Sequence, residues 1–251
     1  MLTERLIPTT TTDLRLTGYE HLSVCVICHT SERSRAMTGL LSTLPTGVEL
    51  CIVFNEQGDT DSVTMTKEET LPNGTAVRFA EATWTEFSFA HMRNQALDLA
   101  TREWILWIDA DELVNIAQHS VLQNLVNVPA GCGALMVTVA GLQPSMYEGD
   151  ETKYFAVPQP RLIRNNTAFR FEGHCHEQVM WSIQRAGYTT QVSTLVITHT
   201  GYVVDCDTMI RKMARNVSLL VKQVNEGDSG DLFFSSLLHR DLGNLLALKG
   251  K

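Results

Sequence analysis

The chain has 251 residues, of which 44% are apolar and 19% charged, enough for a sizeable core and too apolar for global disorder. Twenty Lys and Arg stand against 28 Asp and Glu, a formal charge of −8, which argues against binding nucleic acid or anionic lipid through a basic surface. Six scattered cysteines exclude a disulfide scaffold. The Met1–Leu16 segment lacks the apolar centre of a signal peptide, and no apolar run approaches the ~20 residues of a membrane span.

In chain order, residues 1–21 are Thr-rich and aperiodic, and are expected to form an arm. Leu22–Cys28 (LSVCVIC) is a β-branched apolar run, predicted as a buried strand. Ser34–Leu44 places Met37, Leu40, Leu41 and Leu44 at helical spacing, with Pro45 as the stop. Glu49–Phe54 is a second buried strand, followed by the polar loop NEQGDTDS, and Thr75–Phe79 a third, shorter one. Phe89, Met92, Ala96 and Leu99 mark a helix with Ser88 as N-cap. Trp104–Ile108 (WILWI) is a fourth buried strand, with Asp109-Ala110-Asp111-Glu112 directly after it.

This alternation predicts an α/β fold with a sheet covered on both faces. Ligands of such sheets bind outside the carboxyl ends of the strands. The polar sets HTSER, NEQGDTDS and DADE therefore collect along one edge. Further on, Ile116–Val126 reads as a helix. Ala134–Ala140, Arg161–Arg164, Ala168–Phe171 and Gln191–Thr198 read as strands. Two helices close the chain. One carries the stripe Ile210, Met213, Val217, Leu220 and Val224 between Asp207 and Gly227; the other is Leu232–Leu248. The expected division is 1–21 arm, 22–204 α/β domain and 205–251 helical segment packed on it.

Three carboxylates within four residues at a strand end repel one another unless a cation or hydrogen bonds compensate. Hard oxygen ligands in a turn suit Mg²⁺ or Mn²⁺. The competing reading is an acidic helix N-terminus. Trp84–Glu112 (WTEFSFAHMRNQALDLATREWILWIDADE) resembles the central block of the family 2 glycosyltransferases of GT-A fold. The matching residues are Trp84, Phe87, Arg93-Asn94, Ala96-Leu97, Trp104 and Asp109–Glu112. Three later blocks resemble the same family: Pro160–Glu177 (PRLIRNNTAFRFEGHCHE), Ile197–Tyr202 (ITHTGY) and Arg211–Leu220 (RKMARNVSLL). There are departures. Glu56 stands where many relatives have the Asp that touches uracil, although Asp61 matches, and Met92 is inserted ahead of Arg93.

The resemblance implies a GT-A-like nucleotide-binding fold with a mixed central sheet and C-terminal helices. The implied activity is metal-dependent transfer of a sugar from a nucleotide-sugar, with a UDP-sugar favoured, to an acceptor hydroxyl or thiol, with inversion. It implies Asp109, Asp111 and His199 for Mn²⁺ or Mg²⁺, and Glu56, Asp61, Arg93, Asp109 and Arg33 around the donor. Glu177 is the implied general base, with His176 in reserve.

Each role has a plainer alternative. Glu177 pairs with Arg170 or Arg164, His199 is a packed strand-end histidine, and Arg93 and Arg33 are solvated charges. Trp84, Trp104 and Trp107 read as core, and His29 as a cap. Cys25 and Cys28 point to opposite faces of a strand, which disfavours zinc. Glycine-rich phosphate loops are absent. The other functions weighed are a nucleotidyltransferase forming an activated sugar and a non-catalytic sugar- or nucleotide-binding domain. The acceptor expected is a peptide, glycan or modified base, in the cytoplasm of a bacterial cell or phage-infected host.

Overall fold

The computed structural model describes residues 19–72, 74–115, 118–143, 153–200, 206–227 and 231–249. The expected arm falls almost wholly outside these residues, as do the start of the helix expected at Ile116 and the expected boundary at 204. Strand β1 (Leu22–His29) pairs in parallel with β2 (Glu49–Gln57) and with β5 (Trp104–Asp109), and β2 pairs in parallel with β4 (Ala76–Trp84). Strand β3 (Ser62–Thr70) runs antiparallel along the outer side of β4. On the other flank come β8 (Lys153–Arg164), β7 (Cys132–Gln143), β9 (Thr189–His199) and β6 (Glu112–Val114), giving the order β3-β4-β2-β1-β5-β8-β7-β9-β6. The sheet is mixed, as expected.

Strand alternation sends side chains to two cores. Leu22, Val24, Val26, Cys28, Trp104, Leu106 and Ile108 share one face with Met37 of α1 (Arg33–Thr43) and Leu122 of α3 (His119–Gln123). Cys25, Ile27, Ile105 and Trp107 share the other with Met92, Ala96 and Leu97 of α2 (Phe89–Leu99) and Ile183 of α4 (Met180–Arg185). Cys25 and Cys28 do lie on opposite faces. Ser88 caps α2, its hydroxyl accepting from the His91 N–H. Beyond α2 and α4, helices α5 (Cys206–Glu226) and α6 (Asp231–Lys249) pack through Leu219, Leu220 and Phe234 on Phe87, Phe89 and Trp181.

Several expectations are corrected. The loop NEQGDTDS begins inside β2, which runs to Gln57, and Ser62 already belongs to β3. The third strand extends to Trp84. The Ile116–Val126 segment forms only the short α3 and a 3-10 turn at Asn124–Asn127. Ala168–Phe171 is not a strand: Phe169 and Phe171 plug into the core from a turn, and only Glu172 bridges to Gln178.

One topological fact sets the site. Ala110 and Asp111 alone separate β5 from β6 in the chain, yet three strands lie between them in the sheet. The sheet therefore curls until β6, hydrogen-bonded to β9, returns beside the end of β5.

Candidate functional site

At that closure Asp109 ends β5, Asp111 lies in the β5–β6 turn, and the last residue of β9 is His199. The β6–β9 register pairs Glu112 with His199, and the Asp111 carbonyl accepts from the Thr200 N–H at 3.0 Å and from its Oγ1 at 2.7 Å. Ligand atoms of Asp109, Asp111 and His199 lie within 4.8 Å of one another, with His199 Nε2 3.7 Å from Asp111 Oδ1. This is the one such grouping among the described residues. Two hard carboxylates and one imidazole fit Mn²⁺ or Mg²⁺.

Arg93 joins this cluster to Glu177. Its Nη2 donates to Asp109 Oδ1 at 2.7 Å and its Nε to Glu177 Oε1 at 2.5 Å. The Arg93 side chain is 8% exposed and that of Glu177 9%, so Arg93 is not a solvated helix charge. The pairings weighed for Glu177 are taken elsewhere: Arg170 pairs with Asp98 and Arg164 with Glu103. Burial alone would raise the Asp109 pKa, but Arg93 and Arg161 beside it hold it well below the ordinary carboxylate range. Glu112 is fully buried, accepting from Arg161 Nη2 at 2.7 Å and from the Asp109 N–H at 2.8 Å. Burial, reinforced by the Asp109 charge, pushes the Glu112 carboxyl up to about 7 against the pull of Arg161. Even without Glu112, the carboxylates of Asp109, Asp111 and Glu177 face the guanidiniums of Arg93 and Arg161, a negative excess suited to a divalent cation.

The other expected donor residues lie along the same carboxyl edge of the parallel strands. Glu56, at the end of β2, accepts from Thr30 Oγ1 at 3.0 Å. Arg33 lies with its Cζ 4.2 Å from the Phe54 ring centroid and bonds Glu81. Asp61 is exposed, and its Oδ1 accepts from the Thr85 N–H at 2.7 Å and from Thr85 Oγ1, so it ties the β2–β3 turn to the end of β4. These hydrogen bonds hold its pKa below the ordinary value. His29 caps the short turn after β1, accepting from the Ser31 N–H.

His176, next to Glu177, faces α6. It adopts φ 54°, and its Nε2 bonds Asp241 Oδ2 of α6 at 2.8 Å. The His174 N–H donates to Gln223 Oε1 of α5 at 2.7 Å, so the Gly173–Glu177 loop is tied to both C-terminal helices. Arg161, 3% exposed, is the site residue that sequence reasoning missed. Its signal was an arginine inside the apolar strand PRLI, a place where a guanidinium needs buried acids. Among the described residues, no helix is long and apolar enough to cross a membrane.

No family model matches the chain. A TPR repeat-containing protein of Synechococcus elongatus is 30% identical over 176 residues, covering 66% of this chain and 40% of its own length. The SPbeta prophage-derived glycosyltransferase SunS of Bacillus subtilis is 26% identical over 154 residues, covering 60% of this chain and 35% of its own. The chain thus spans well under half the length of either relative. Among solved structures, S. aureus TarS 1–349 in complex with UDP-GlcNAc overlays with a TM-score of 0.47 at 14% identity, covering 89% of this chain and 72% of that one. The mannosyltransferase PcManGT of Pyrobaculum calidifontis, in complex with GDP-Man and Mn²⁺, overlays with a TM-score of 0.48 at 16% identity, covering 92% and 73%. With the Trp84–Glu112 block folded into strand, helix and acidic turn, the PRLIR and ITH segments meeting it at one sheet edge, and SunS among its relatives, the chain is glycosyltransferase family 2-like.

Proposed function

We propose that the chain transfers a sugar from a nucleotide-sugar to an acceptor hydroxyl or thiol, with a divalent cation and with inversion at the sugar. The observation that carries this is the meeting of Asp109, Asp111 and His199 at the carboxyl end of the parallel strands, with Glu177 joined to them through Arg93. The likeness to SunS supports the class of reaction. Asp109, Asp111 and His199 would hold Mn²⁺ or Mg²⁺, which would supply Lewis-acid stabilisation of the departing diphosphate. Around it, this chain's residues hold the donor. Glu56 and Arg33 border the space for the base, the end of β4 beside Asp61 closes the edge, and Asp109 faces the ribose and cation. Glu177 takes the acceptor proton, and its carboxylate is set by Arg93 at a fixed place relative to the donor. His176 sets the backbone that carries Glu177. A UDP-sugar is the favoured donor, and a peptide, glycan or modified base the acceptor class. Location in the cytoplasm and the 22–204 catalytic unit belong to the same proposal.

The test is a panel of UDP-, GDP- and CDP-sugars assayed for thermal stabilisation and sugar hydrolysis, each with and without Mn²⁺. One base class should stabilise the protein only with the metal. A panel in which no nucleotide-sugar responds to Mn²⁺ would overturn the proposal.

A further inference from the structure

Trp107 lies two residues before Asp109 on β5 and is 7% exposed. Its Nε1 donates to the Pro160 carbonyl at 2.7 Å, which fixes the plane of the ring. Two guanidiniums lie over that indole, the Cζ of Arg161 3.8 Å and that of Arg93 4.4 Å from the ring centroid. Both address one carboxylate: Arg93 Nη2 is 2.7 Å from Asp109 Oδ1, and Arg161 Nη2 is 3.6 Å from Asp109 Oδ2. Other contacts anchor the two guanidiniums outside Asp109. Arg93 Nε holds Glu177; Arg161 Nη2 holds Glu112 at 2.7 Å, and its Nε holds Gln159 at 2.9 Å. Glu112 in turn accepts from the Asp109 N–H. The backbone and both carboxylate oxygens of Asp109 are thereby addressed from one connected set.

Packing alone does not call for this set. Two like charges beside one ring repel, and a buried ion network stabilises a fold less than apolar residues of the same volume do. What the set supplies is direction. An Asp carboxyl turns easily about its last torsion; the Arg93 hydrogen bond to one oxygen and the Arg161 charge beside the other favour a single orientation.

We propose that Trp107 and Arg161 are positioning residues for Asp109: the indole is the platform on which the Arg161 and Arg93 guanidiniums fix the Asp109 carboxylate in one orientation toward the cation and donor. This rests on the reading of Asp109, Asp111 and His199 as the cation site.

The test compares Trp107→Phe, Trp107→Leu and Arg161→Lys with the wild type. Mn²⁺ binding in the presence of UDP is followed by the spin-resonance signal of the free ion, beside thermal unfolding and the kcat and KM for the donor. Trp107→Leu removes the ring, and Arg161→Lys keeps the charge but loses the flat fork. Each should weaken Mn²⁺ binding about 10-fold, as loss of a group orienting a metal ligand does. Trp107→Phe, which keeps a ring face, should stay within about 3-fold of wild type on the same scale. If all three variants melt earlier while their folded fraction binds Mn²⁺ as wild type does, the positioning role is overturned. That outcome differs from failure of the underlying reading, in which wild-type protein binds no Mn²⁺ with UDP, or Asp111→Asn binds it unchanged; either result overturns the proposal as well.

Discussion

Asp111 is the residue whose charge the candidate site can least replace, because its partners are a His199 nitrogen and hydrogen bonds to its backbone carbonyl. Asp111→Asn keeps the shape and removes the charge. It should abolish Mn²⁺-dependent donor binding and lower turnover at least ~10²-fold, as removal of one electrostatic stabiliser does; calorimetric titration of metal with UDP checks it. Glu177→Gln separates base from structural partner. Its amide oxygen can still accept from Arg93, so donor affinity should change little, while turnover falls about 10²–10⁴-fold. Activity per folded molecule at the wild-type level would leave Glu177 as an ion-pair partner alone. The meeting of Asp109, Asp111 and His199 was expected from the resemblance, since the DADE turn marks a strand end but its distance along the chain from His199 carries no proximity. The bonds of Arg93 were not, since its partners lie 16 and 84 residues away. Trp107 was read as core, and it is; that its ring also bears two guanidiniums follows from the β5–β8 pairing for Arg161 and from the packing of α2 on β5 for Arg93.

At the scale of elements, the buried strands and the long helices were readable because apolar runs and stripes have one period each. Strand β3 was not, since SVTMTKEET is a polar edge strand that owes its form to β4. Ala168–Phe171 misled in the opposite sense: its alternation of Phe169, Arg170 and Phe171 comes from a turn that buries both rings and leaves Arg170 to Asp98. The α2 cap is a simple element to test. Ser88→Ala should destabilise the protein by about 0.5–2 kcal/mol, read by urea denaturation. The Gly173–Glu177 loop gives a second test. Gly173 has φ 96°, and a Cβ there would stand 2.5 Å from the Phe234 ring. Gly173→Ala should therefore loosen α6, lower the melting temperature and reduce turnover through the displaced Glu177. Unchanged turnover with lowered stability would separate the loop from the chemistry.

Over the whole molecule, the end of the sheet opposite the site is held by another buried acid. Glu49 joins three segments: its oxygens accept from Ser23 Oγ of β1, from the Thr101 N–H and Oγ1 ahead of β5, and from Arg78 Nε of β4. Burial alone would raise its pKa, but these partners hold it below the ordinary 4.5. A depressed carboxyl contributes stability that is complete above its ordinary value and is lost as pH falls through the folded one. Wild-type protein should thus lose stability below about pH 4.5, and Glu49→Gln should flatten that acid limb in melts taken across pH. The curl of the sheet has a further consequence, for the order of events in folding. The bonds between Asp111 and Thr200 span 89 residues of sequence, and contacts so distant carry a large loop-closure cost that is met late. During refolding from denaturant, tryptophan burial in β5 should precede the appearance of Mn²⁺ affinity. The delay between the two signals would time the moment at which β9 docks against β6.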